Sequence, residues 1–216
     1  MIKVCGMREA ENIREVEALG IDMMGFIFWP KSKRYVNHGD CPRDSSAAKI
    51  MGTVPVIPLP TKCQRVGVFV DEDPGLVKRI AHNYGLDYIQ LHGSESPAYI
   101  FQLRGLHVIK AFNIATAEDL EQTKTYEGLV DYFLFDTKGK SVGGNGEKFD
   151  WSVLEAYNGK TPFLLSGGIG PDDADRVKAC RHPKCAGIDL NSRFEIAPGL
   201  KDVNKLKSFL EKIQEY

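Results

Sequence analysis

Two residue types in this chain stand where acid–base chemistry would need them. Asp136 closes a short aromatic run, Tyr132 to Phe135, and a loop containing Gly139, Gly143, Gly144 and Gly146 follows it. Cys5 closes the run Ile2 to Cys5, with Gly6 behind it. A carboxyl group can donate a proton. A thiol titrates near ~8.5, close enough to neutrality to accept one once its pKa is lowered. A strand-end carboxylate usually caps its own turn, and a free cysteine is usually a small buried apolar residue. Their shared placement at strand ends is what makes a catalytic pair the better reading.

Other polar groups repeat that placement. Gln90 and His92 end the run Tyr88 to Leu91, and Asp189 precedes Asn191 and Ser192 at the end of Cys185 to Leu190. The turn SGGIGPDD follows Pro162 to Leu165. Gly167 and Gly168 let the backbone approach an anion, and a helix expected to start at Pro171 would aim its positive end at it. Asn191 and Ser192 would supply further amide donors, so phosphate is the expected ligand of these two loops. Arg34, in the basic loop KSKRYV, carries a planar fork of donors suited to a carboxylate. Lys31 and Lys33 compete for that role. His92 and Gln90 are given supporting roles. No His/Asp/Glu cluster has metal-ligand spacing.

The elements that must position these groups alternate along the chain. Apolar runs near residues 2–5, 23–28, 65–70, 88–91, 107–112, 131–136, 162–165 and 185–190 read as eight strands. Helices are expected at 9–19, from Pro74, from Pro97, from Thr116, after Asp150, from Pro171 and over 201–213. This is the pattern of an α/β fold, a (β/α)8 TIM barrel in a single domain covering residues 1–216, whose active site lies at the C-terminal strand ends. A doubly wound open sheet is the alternative, but no GxGxxG follows the first strand. Residues 41–62 are proline-rich and break the pattern.

With 216 residues, 43% hydrophobic content and a net charge of −1, the chain suits one core. No nucleic acid or membrane partner is expected. Five irregularly spaced cysteines with no CxxC pair indicate neither a disulfide scaffold nor a zinc ribbon. Cys41, Cys63, Cys180 and Cys185 read as structural. The N-terminal stretch lacks a signal peptide's apolar core, so a cytoplasmic location is expected.

In order, KVCGMR, GFIFWPKSKRYV, RVGVFV, IQLHGSE, FDTKGKSVGGNGEKFDW, PFLLSGGIGPDD and GIDLNSRFE resemble the phosphoribosylanthranilate isomerase family of tryptophan biosynthesis. The match spans essentially the whole chain. The resemblance implies an aldose–ketose isomerase catalysing an Amadori rearrangement of a phosphorylated small-molecule substrate, with no metal and no organic cofactor. It implies Cys5 as general base, Asp136 as general acid and Arg34 on the anthranilate carboxylate. Gly167, Gly168, Asn191 and Ser192 would hold the phosphate, and Asp189 would line the site. A monomer is expected, with a homodimer as the alternative. Where the family usually reads SSGVE, this chain has Asn191-Ser192-Arg193-Phe194-Glu195, and Arg193 stands in place of a glycine. The related isomerase of histidine biosynthesis would place a carboxylate where Cys5 stands. A phosphate-binding barrel without catalysis would lack Cys5 or Asp136.

Overall fold

The computed structural model describes residues 1–37, 59–137 and 150–214. The DSSAAKIM helix candidate, Cys41, most of the proline-rich segment and the glycines after Asp136 lie outside the described residues.

Strands β1 (Ile2–Val4), β2 (Met23–Ile27), β3 (Gln64–Phe69), β4 (Tyr88–Leu91), β5 (His107–Ile114), β6 (Tyr132–Thr137), β7 (Phe163–Ser166) and β8 (Cys185–Leu190) form a closed parallel barrel in sequence order. The open-sheet alternative is excluded by the pairing of β1 with β8, which brings Lys3 opposite Asp189. Side chains alternate across each strand. Met23, Val66, Ile109, Ala111, Leu134 and Leu164 pack together inside the barrel. Phe133, Phe135 and Phe163 point outward, where Tyr157 meets all three rings.

The outer layer comprises α1 (Ala10–Glu17), α2 (Pro74–Tyr84), α3 (Pro97–Gln102), α4 (Ala174–Ala179) and α5 (Val203–Gln214). Helices α2 and α3 begin at Pro74 and Pro97, as expected, and Asp73 and Ser96 cap them. Thr116 and Asp119 form a reciprocal capping box, but Ala117–Tyr126 winds as a 3₁₀ helix. Asp150 likewise caps a 3₁₀ segment, Trp151–Ala156.

Two expectations need correction. The helix after β7 begins at Ala174 rather than Pro171 and is six residues long. The reason is Asp173, which accepts from the Gly170 amide at 2.8 Å and holds residues 170–173 in a turn. Lys201, expected on the last helix, instead ends the small antiparallel pair β9 (Glu195–Ala197) and β10 (Leu200–Lys201). Among the described residues no helix is long and apolar enough to cross a membrane.

Strand β6 delivers Asp136 to the barrel mouth, and its outer face is anchored by fully buried Phe133 and Phe135. Phe135→Ala is therefore expected to cost about 3–5 kcal/mol in urea unfolding. A loss below about 1 kcal/mol would show that the aromatic layer does not secure β6.

Candidate active site

At the C-terminal end of the barrel lies a cavity of about 490 Å³, within the range of small-molecule sites. Cys5, Gln90, His92, Asp136, Ser166, Gly167, Gly168, Asp189, Asn191, Ser192 and Arg193 line it. The barrel thus gathers nine of the ten candidate residues at one mouth, and Arg34 sits just behind.

Asp136 is reached from β4. His92 Nε2 lies 3.6 Å from Asp136 Oδ2, and Gln90 Nε2 lies 3.0 Å from His92 Nδ1. With the amide donating to Nδ1, the neutral ring carries its proton on Nε2, facing Asp136. Gln90 is almost fully buried, and among the described residues its Oε1 has no hydrogen-bond partner. Such an acceptor is costly to leave unmade and suits a ligand hydroxyl.

The His92 loop is pinned from the other side of the sheet. Lys110 on β5 and Glu95 form a buried pair at 3.1 Å. Glu95 also accepts from the Asp71 and Gly93 amides, while Lys110 donates to the Gly93 carbonyl at 2.7 Å. The loops after β3 and β4 are tied together by this pair.

Gly167 and Gly168 both have positive φ, 94° and 68°, a conformation that side-chain-bearing residues rarely adopt. They face the turn Ser192–Phe194 across the cavity. Arg193 extends from that turn, lines the cavity and is exposed. Because α4 starts late and Asp173 sits at its mouth, the groups this corner could offer an anion are backbone amides and Arg193, not a helix end.

Cys5 forms the floor. It is 3% exposed, more enclosed than its sequence position suggests. Burial pushes its thiol above the ordinary value; nearby Lys3 and Lys201 pull the other way, and Asp189 adds to the rise.

Lys3 is fully buried and donates to Asp189 Oδ1 at 2.7 Å. Burial disfavours its charge, but Asp189 and Cys5 outweigh that and hold the ammonium above its usual value. Ser166 Oγ donates to Asp189 Oδ2 at 3.1 Å. Lys201 donates to Asn191 Oδ1 at 2.8 Å and to Glu195 Oε1 at 2.6 Å. Glu195 in turn accepts from Arg34 Nε at 2.8 Å and Nη2 at 2.5 Å. Arg34 thus does not offer the open two-nitrogen fork expected of it, and it is absent from the cavity lining. Its side chain passes over Gly6, whose positive φ and lack of Cβ leave the room.

Lys3, Lys201 and Glu195 were not among the sequence candidates. The available signal was Lys3-Val4-Cys5, since residues two apart on a strand share a face. Among the described residues no group of three or more His, Cys, Asp and Glu side chains is arranged to hold a metal ion.

The N-(5'-phosphoribosyl)anthranilate (PRA) isomerase family model matches residues 2–212. The chain belongs to that family. It is an isomerase of tryptophan biosynthesis, and the reading as the histidine-pathway enzyme falls. A relative from Parabacteroides distasonis, N-(5'-phosphoribosyl)anthranilate isomerase, is 53% identical over 215 residues, covering 99% of this chain and 93% of the relative. Monomers generated from the dimeric Thermotoga maritima phosphoribosylanthranilate isomerase superimpose with a TM-score of 0.77 at 27% identity, over 100% of this chain and 98% of that one. A phosphoribosylanthranilate isomerase solved with reduced 1-(o-carboxyphenylamino)-1-deoxyribulose 5-phosphate gives 0.75 at 28% identity, over 99% and 97%.

The thiols differ in a way that can be measured. Cys180 and Cys185 interact side by side, and Cys180 is pulled down to about 6 by the Cys185 thiol. Cys185 is pushed up by the same partner. Cys180 lines a separate cleft with Trp151 and Arg176, away from the cavity. Limiting iodoacetamide at neutral pH is expected to alkylate Cys180 before Cys5, with activity lost only as Cys5 is modified. Peptide mass spectrometry against residual activity checks this; loss of activity in step with Cys180 would overturn it.

Proposed function

We propose that this single-domain barrel converts N-(5-phosphoribosyl)anthranilate into 1-(2-carboxyphenylamino)-1-deoxyribulose 5-phosphate by general acid–base catalysis. Asp136 protonates the furanose ring oxygen as the ring opens to a Schiff base. Cys5 then removes the proton from C2 of the sugar. The resulting enolamine tautomerises to the ketone. Each step moves one proton, so two side chains lining one small cavity suffice.

The observation that carries this reading is the enclosure of Cys5, Asp136 and the Gly167–Gly168 and Asn191–Ser192 loops in one cavity. The ligand of the solved family member, a phosphate at one end and a carboxylated ring at the other, has the same polarity. We assign the phosphate to the two loops, with Arg193 adding charge. The sugar hydroxyls fall to Gln90, Asp189 and His92, and His92 also steadies Asp136.

Arg34 remains our choice for the anthranilate carboxylate, now in a different form. Glu195 fixes the guanidinium and is itself shared with Lys201. A substrate carboxylate would therefore approach a pre-oriented cation instead of closing a free fork. We expect the active unit to be a monomer in the cytoplasm, with a homodimer as the alternative.

Asp136→Asn and Cys5→Ala are each expected to lower kcat by about 10² to 10⁴ while product binding persists. Steady-state kinetics with product titration is the check, and near-wild-type kcat in either variant would remove that residue from its role. Arg34→Ala should lower kcat/KM by about one to two decades, mainly through KM. If kcat/KM stays within about twofold, the carboxylate is held elsewhere. Rescue of a tryptophan auxotroph lacking this isomerase tests the overall activity.

A further inference from the structure

Beneath the cavity lies a buried charge that the two-residue mechanism leaves unused. Lys3 lies two residues before Cys5, so both side chains enter the barrel. Lysine is almost never fully buried unless paired, and an apolar side chain of similar length would fill this place at lower desolvation cost. Asp189 accounts for charge balance, with its carboxylate 2.7 Å from the ammonium. It does not account for the ammonium standing two residues before Cys5 on the same strand face, both buried, where its charge favours a thiolate.

The charged groups around Cys5 come from several elements. They are Lys3 on β1, Asp189 on β8, Lys201 on β10 and Arg34 beyond β2. Lys201 is committed to Glu195 and Asn191, and Arg34 to Glu195. Lys3 donates to Asp189 and shares its strand face with the thiol.

We infer that Lys3 is a positioning residue for Cys5: its ammonium, shared with Asp189, is the counter-charge that makes a Cys5 thiolate attainable on the cavity floor. Asp189 sets how much of that charge the sulfur receives. The inference rests on the reading of Cys5 as the base. When the thiol releases its proton to solvent, the negative charge on sulfur is met by Lys3. When the thiolate takes the proton from C2 of the sugar, the thiol is restored and Lys3 returns to Asp189.

The two members of the pair should act on Cys5 with opposite sign, which a purely structural role would not produce. The rate of iodoacetamide labelling of Cys5 at neutral pH, read on its peptide, reports the thiolate fraction. Lys3→Met is expected to slow it by about tenfold or more, Asp189→Asn to speed it, and Lys3→Arg to return it toward wild type. Equal or same-direction shifts would overturn the inference. If Lys3→Met fails to fold because Asp189 is left unpaired, Lys3→Met/Asp189→Asn is compared with Asp189→Asn. Slower labelling in the double variant supports the inference, and equal or faster labelling overturns it. Cys5→Ala separates the two readings. Full turnover without the thiol would sink its role as base, whereas lost turnover with unchanged labelling in the Lys3 variants would sink only the role of Lys3.

Discussion

The barrel closes on an ion pair. Lys3 and Asp189 face each other in register across the seam between β1 and β8, both buried. A buried pair of this kind gives little net stability, because removing two charges from water costs about as much as their attraction returns. Its consequence is arrangement. Asp189 also takes Ser166 from β7, and Cys5 lies one residue past β1 beside the ammonium. Each polar residue on this side of the mouth is thus placed relative to the seam.

A second buried pair does a different task. Lys110 and Glu95 lie outside the barrel wall, and their donors and acceptors are spent on the backbone of the β3 and β4 loops. The inner pair shapes the potential felt by a thiol. The outer one fixes the loop that brings His92 to Asp136. One side of the mouth is organised by charge and the other by loop geometry.

The strands were legible because a parallel barrel buries both faces and leaves near-continuous apolar runs between turn signals. The strand ends carried the candidate site for the same reason: polar residues there interrupt otherwise apolar stretches. What escaped was buried charge. Lys3, Lys201 and Glu195 read as solvated residues until their partners are known, and those partners are far along the chain. Arg34 and Glu195 are 161 residues apart, so an arginine with an occupied fork looks in sequence like one with an open fork. The helix after β7 was misplaced because Pro171 suits a first helical position. The competing signal, Asp173 bonding back to Gly170, works over only three residues. The 3₁₀ winding after Thr116 and Asp150 leaves no mark on the capping residues, which serve both helix types alike.

The seam has a bearing on how the protein is made. The contact between Lys3 and Asp189 spans 186 residues, and the Lys201 contacts come from still later in the chain. During synthesis the electrostatic surroundings of Cys5 exist only once the chain past Lys201 has emerged. Until then no counter-charge is held near the thiol. The reactivity assigned to it is a property that arrives only with the closing strand, and an unfinished chain has no means of showing it.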